Sequence, residues 1–240
     1  MSQKMEISCI LDSMSNDYVY LGMIEASKRG ARNIIIHDDI KIISDDVEGA
    51  LYIVCDDIDV FKNNRFDIDY KDYYFVNVYN KDVCDYLKNE YPFFKESSTF
   101  YICTYLKKEK FNLEYTDFRN LDKSYYDIIR DNYELLSNEE IKERLFSNKI
   151  FGLFVENELV GFIGIHKEGD MGIFKVFDDE KFDEYAYALE ANLINYLLDE
   201  NVIIYTHIQS EDERILKIQE KLGLKKSDSL QYWLYAKEEY

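Results

Sequence analysis

The sequence predicts an α/β fold of the α+β kind, a mixed and mostly antiparallel central sheet flanked by helices. Three observations predict it. Two β-rich runs, 150–155 and 159–165, flank Asn157-Glu158 and read as a hairpin. A third β run, Met171-Gly172-Ile173-Phe174-Lys175-Val176, feeds a short acidic loop and then a long helix over about 183–199, with Ala186, Leu189, Leu193 and Leu197 at helical spacing. Beyond residue 110 the elements follow the order β-α-α-β-β-β-α-β-α-β.

Each element has its own signal. Residues 111–118 read as a strand and 122–135 as a helix. A helix over 138–148 is opened by Ser137 with Glu140 in capping-box register. After the long helix, 202–208 has the apolar density of a buried strand. Ser210 with Glu213 forms a second capping-box pattern, and the helix it opens ends at Gly223, suited to a left-handed cap. Residues 230–236 close the chain's pattern as a strand.

The first half is also structured. A helix is predicted over 17–29 and a hairpin from 33–37 and 40–43 around Asp38-Asp39. Strands are predicted over 50–55, 73–78 and 99–106, with a helix over 81–91. This repeats the order of the second half, but the landmark spacing is shorter after the third strand, as though the long helix were mostly missing.

Composition sets the outer bounds. The chain has 240 residues, 47% hydrophobic and 16% aromatic, enough for a sizeable core in one large domain or two small ones. One proline and no low-complexity linker exclude a disordered chain. A net charge of −19 argues against nucleic-acid binding, which needs a surplus of Lys and Arg. The charge serves solubility first and tolerates a cationic substrate such as an amine. The N-terminus leads into no signal-type apolar run, and no apolar stretch reaches bilayer length, so no membrane partner is expected. Cys9, Cys55, Cys84 and Cys103 lack CxxC spacing and read as reduced thiols of a cytoplasmic protein. His37, His166 and His207 are scattered along the chain, and no metal site is expected.

The element order resembles the GNAT (GCN5-related N-acetyltransferase) superfamily. The strings that carry the resemblance are the 171–176 strand with its loop and helix, and the ending Gln219-Glu220-Lys221-Leu222-Gly223-Leu224 followed by Tyr232-Trp233-Leu234-Tyr235. The run Phe162 to Gly172 is most similar to bacterial, clostridial-type members. The resemblance covers residues 111–240, and residues 1–110 read as a shortened GNAT-like module in tandem with it.

The resemblance implies an acyl-CoA-dependent N-acetyltransferase acting on a small-molecule or peptide amine, with acetyl-CoA as cofactor. The acceptor and the oligomeric state stay open. It places the pantetheine arm along the backbone of Phe174, Lys175 and Val176. The family's pyrophosphate loop, R/Q-x-x-G-x-G/A, falls on Lys181, Phe182, Asp183, Glu184, Tyr185 and Ala186. Glu184 stands where the family has a glycine that lets backbone N–H groups approach phosphate. Asp178, Asp179, Glu180 and Asp183 add charge of the wrong sign. At an effective dielectric of about 20, like charges ~4 Å apart cost on the order of 4 kcal/mol before screening. Asp183 and Glu184 instead suit the first turn of a self-capped helix. The family's cofactor-side asparagine falls on Asp212, and its frequent catalytic tyrosine falls on Gln219, so acid–base groups are sought in His166, Glu168, His207 and Tyr235. The acidic loop supports a second reading, a GNAT-fold pseudoenzyme serving as a binding or regulatory module that has lost CoA binding.

Overall fold

The computed structural model describes residues 17–236 other than 38, 48 and 65, so the N-terminal residues with Cys9, and Asp38 of the first hairpin turn, lie outside the described residues. These residues fall into two compact units, 17–102 with 208–212 and 226–236, and 103–207 with 213–225.

In the first unit, helix α1 (Leu21–Arg29) follows a 3₁₀ turn that Asp17 caps by accepting from Val19 N at 3.1 Å, and ends on Gly30 at φ 105°. Strands β1 (Arg32–His37), β2 (Ile40–Asp45) and β3 (Ala50–Cys55) are successively antiparallel. A short helix, α2 (Ile58–Asn63), leads on to β4 (Phe75–Val78), which runs parallel to β3 in four-residue register, Ala50 opposite Phe75 through Ile53 opposite Val78. Helix α3 (Lys81–Glu90) and β5 (Phe94–Tyr105) follow. The sequence pattern gives no warning of α2, a single six-residue helix whose start is capped by Asp57. β3 is buried along its whole length, and its alternating side chains serve two cores. Leu51, Ile53 and Cys55 pack with Val76, Val78 and Leu87, while Ala50, Tyr52 and Val54 pack with Met23 and Ala26 of α1.

The second unit opens with residues 111–117, which form no strand; the strand is β6 (Phe118–Asn120). The reason is visible in the hydrogen bonds. Asn195 satisfies Phe111 at both ends, its Oδ1 accepting from Phe111 N at 2.8 Å and its Nδ2 donating to Phe111 O at 3.0 Å. Asn192 Nδ2 donates to Tyr115 O at 2.9 Å. With its peptide groups met by side chains, the segment needs no neighbouring strand.

Helices α4 (Tyr126–Asn132) and α5 (Asn138–Phe146) come next, α5 opened by the expected Ser137–Glu140 capping box. Then β7 (Ile150–Val155), β8 (Glu158–Ile165) and β9 (Met171–Val176) run antiparallel, with the β7–β8 turn at Glu156-Asn157. Helix α6 (Phe182–Glu200), strand β10 (Ile204–Gln209), helix α7 (Glu213–Leu222) and the short β11 (Lys225–Lys226) complete the order. One core joins Ile129, Ile141 and Leu145 of α4 and α5 to Ile150, Phe154, Phe162 and Ile173 of the strands. Gly223 ends α7 at φ 78°, as its position suggests.

The other capping-box pattern is not used. α7 begins at Glu213 itself, and Ser210 pairs instead with Thr99, amide to carbonyl at 2.8 Å and hydroxyl to hydroxyl. The last strand, β12 (Gln231–Ala236), which the sequence reading assigned to the second module, lies in the first unit between β4 and β5. Among the described residues no helix is long and apolar enough to cross a membrane.

Candidate active site

The centre of the second unit is a defect in the sheet. Gly172 pairs with Gly164 and Lys175 with Phe162, so Ile173 and Phe174 together oppose Ile163 alone. This is a β-bulge. Ile173 occupies it at φ 51°, although it is β-branched and fully buried. Such a residue in the left-handed region is strained and is held there by its surroundings. Tyr133 helps to hold it, because its hydroxyl is hydrogen-bonded by the Ile173 backbone.

Beyond the bulge, β9 leaves its parallel neighbour. β9 and β10 are in register only at Met171 and Thr206, where the Thr206 hydroxyl also donates to Met171 O at 2.8 Å. The corresponding parallel pair of the first unit, β3 and β4, stays in register over four positions. Among the described residues no strand pairs with the β10-facing edge of Phe174, Lys175 and Val176, the residues assigned to the pantetheine arm.

The loop after β9 differs from the expected self-capped helix start. Asp178 is the acid that caps, its Oδ1 accepting from the backbone N–H of Glu180 at 2.9 Å and of Lys181 at 3.2 Å. The N-cap position of α6 is Lys181, and no side chain caps the helix itself. Asp183 and Glu184 have other partners. Arg214 Nε donates to Asp183 Oδ1, and its guanidinium lies 4.0 Å from the Phe182 ring centroid. The Tyr115 hydroxyl donates to Glu184. Lys181 Nζ sits 5.5 Å from the Tyr185 ring, Phe182 meets Phe174 edge-on, and Tyr185 and Ala186 are buried. The loop thus has a second cation, Arg214, brought in from α7.

At the other end of β9, folding gathers residues that the sequence spreads out. Asp170 Oδ2 accepts from His166 Nδ1 at 3.2 Å and from His207 Nδ1 at 3.0 Å. His166 Nε2 lies 3.0 Å from the Tyr133 hydroxyl, and the Tyr205 hydroxyl donates to the Glu168 carbonyl at 3.1 Å. Burial pushes the Asp170 carboxyl up, but the two histidines outweigh it and hold the group below the usual carboxylate range. An ionised carboxylate only accepts, so both imidazoles carry a proton on Nδ1. Burial, reinforced by the Asp170 and Glu168 charges, pushes Tyr133 well above the usual tyrosine range. His166, Glu168 and His207 of the expected acid–base set are thus neighbours of one carboxylate. Asp170 and Tyr133 are the members sequence reasoning missed; Asp170, in the alternating His166-x-Glu168-x-Asp170 pattern, was the legible one.

Tyr235 and Asp212 belong to the first unit. Tyr235 lies on β12 opposite Phe75, and Asp212 N donates to Gln209 O at 3.0 Å just before α7. Gln219, at the place of the family's tyrosine, is buried and donates to Glu190 of α6. A cleft of about 470 Å³ opens beside the first turns of α6, between Asp183, Glu184 and Tyr187 on one side and Glu114 and Tyr115 on the other.

No protein-family model matches the chain, and no curated protein matches it. Solved structures do. An X-ray structure of a Drosophila protein is similar over 100% of this chain and 98% of its own, with a TM-score of 0.71 at 11% identity. A GCN5-related N-acetyltransferase-like protein from Streptococcus suis is similar over 98% of this chain and 100% of its own, with a TM-score of 0.57 at 14% identity. A GNAT-family acetyltransferase from Colwellia psychrerythraea is similar over 99% and 98%, with a TM-score of 0.53 at 9% identity. With the bulged β9, its parting from β10 and helix α6 behind them, these likenesses establish that the chain has the GNAT fold.

Proposed function

We propose that the protein is an acyl-CoA-dependent N-acyltransferase acting on an amine, acetyl-CoA being the first donor to test. The observation that carries this reading is the parting of β9 and β10 after a single register pair. An unpaired strand edge offers N–H and C=O groups to an extended amide-bearing ligand, as it would to another strand. The pantetheine arm is such a ligand, and Phe174, Lys175 and Val176 would hold it. The uncapped N-terminus of α6, with Lys181 and Arg214 near it, would hold the pyrophosphate. Coenzyme A, when bound, supplies the activated acyl thioester.

The chain's own chemistry centres on His207. Its Nδ1 proton is held by Asp170, which sets the tautomer, and the ring takes a proton from the substrate's ammonium so that the neutral amine can attack. His166 is held on both nitrogens, by Asp170 and by Tyr133, and acts as support. The two units are read as two GNAT-like modules, the first shortened to the six-residue α2 where the second has the nineteen-residue α6. The reduced, buried Cys55, Cys84 and Cys103 support a cytoplasmic setting.

Calorimetric titration of acetyl-CoA into the full chain tests the proposal. A dissociation constant in the micromolar range is expected. No binding at millimolar ligand overturns it and favours the binding-module reading, for which Glu184 at the glycine position of the loop is the specific support.

A further inference from the structure

We propose that His166, Glu168 and Asp170 form a binding site for a divalent transition-metal ion of the zinc class. One ligand atom from each lies within 4.8 Å of the other two. All three sit on the turn between β8 and β9, at alternating positions closed by His166 N to Asp170 O at 3.0 Å and Gly169 N to His166 O at 3.1 Å. Gly169, at φ 94°, permits the turn.

The independent observation is Asp170 Oδ1. Asp170 is 4% exposed, and this oxygen is buried without a hydrogen-bond partner. Among the described residues it is the only carboxylate oxygen so placed. Oδ2 of the same group is engaged by two imidazoles. Asp170 thus offers the cluster a buried carboxylate oxygen that no hydrogen bond engages, as a metal ligand would be.

The ligand chemistry selects the ion. Magnesium and calcium demand oxygen ligands, whereas an imidazole with two carboxylates suits zinc and its neighbours. The ion takes the place of the His166 Nδ1 proton, and the neutral ring then carries its one proton on Nε2, facing the Tyr133 hydroxyl. The supports around the ligands are already in position. Tyr133 holds His166 Nε2, His207 holds Asp170 Oδ2, and Tyr205 holds the Glu168 backbone. A Cβ on Gly172 would come within 2.1 Å of the His166 ring, so the ring's seat is shaped by that glycine.

The test is a calorimetric titration of zinc chloride into the full chain after chelator treatment, with no coenzyme A present, so that its outcome is separate from that of the acyl-transfer reading. One ion per chain is expected, with micromolar or tighter affinity, and cobalt should give a visible d–d absorption band. Asp170→Asn should abolish binding. Glu168→Gln, at a half-buried site with less to lose in folding, should weaken it at least tenfold, whereas His37→Ala, far along the chain and exposed, should leave it unchanged. Absence of binding below millimolar zinc overturns the proposal. So does binding that Glu168→Gln leaves unchanged, because the ion would then be held by other surface acids.

Discussion

Arg214 Nε donates to Asp183 Oδ1 while its guanidinium covers the Phe182 ring at 4.0 Å, so the acidic loop of the proposed cofactor site carries its own counter-ion from α7. Both side chains are half exposed or more, at 50% and 70%, so the pair contributes less than about 1 kcal/mol to stability. Its consequence is for binding. Asp183 competes with any phosphate for the same guanidinium. Asp183→Asn should tighten acetyl-CoA binding by roughly fivefold, and Arg214→Ala should weaken it by a similar factor, the value of one exposed charge contact. Titrations at low and at high salt check this, because the difference should shrink as salt rises. An Arg214→Ala protein that binds the cofactor normally would place the pyrophosphate elsewhere.

Ile173 sets strain against burial. Glycine at this position would relieve a left-handed backbone cost of about 1–2 kcal/mol. It would also empty a fully buried isoleucine from the core it shares with Phe162 and Leu145. Losing a buried aliphatic side chain costs about 2–5 kcal/mol. Burial wins, and Ile173→Gly should be net destabilising by roughly 2 kcal/mol in urea unfolding. A more stable variant would show that the bulge is held by strain the core does not repay.

These two sites show where the sequence is readable. The β7–β8 hairpin, strand β9 and helix α6 are carried by local patterns, alternation and helical spacing, and all stand within a residue or two of expectation. The same patterns cannot show a bulge, because Ile173 is ordinary β vocabulary until Phe162 and Gly164 set the register. Residues 111–117 fail for a related reason. Their apolar and aromatic residues suit a strand, but Asn192 and Asn195, far along the chain, supply the hydrogen bonds a strand would need. The acidic loop was legible as acidic and illegible as neutralised, since Arg214 is thirty-one positions from Asp183. Likewise, His166 and His207 are joined through Asp170, a link no local pattern shows.

Gly172 makes the histidine cluster testable without touching a titrating group. Its own backbone needs no glycine, yet an added Cβ would come within 2.1 Å of His166 Cε1 and 2.7 Å of Nδ1. The ring must move, and the His166–Asp170 bond must break. Gly172→Ala should cost about 1–3 kcal/mol, the usual range for overpacking. It should also shift the His166 imidazole resonances while leaving those of His37 in place. Unshifted His166 resonances would mean that the ring does not rest on Gly172.

Glu190 predicts how stability depends on pH. Its carboxyl is buried, and burial raises its pKa from 4.5 to about 7 against the opposing hydrogen bond from Gln219. The geometry favours the protonated form for a second reason. Gln219 Oε1 is buried without a partner, while its Nε2 donates to the carboxylate. A neutral Glu190 can donate O–H to that oxygen, closing a reciprocal acid–amide pair. In the unfolded chain the group ionises at its ordinary pKa, so between pH 4.5 and 7 the folded state binds more protons than the unfolded one. Stability therefore falls as pH rises through this window, by about 3 kcal/mol in all, and the loss is complete above it. Glu190→Gln keeps the shape, pairs amide with amide and does not titrate. Its unfolding free energy minus that of the parent should be near its minimum at pH 4.5 and grow by about 3 kcal/mol by pH 8. Subtraction removes the other titrating groups common to both proteins. A difference that stays flat across that range would mean that Glu190 is ionised in the folded protein and finds its counter-charge elsewhere.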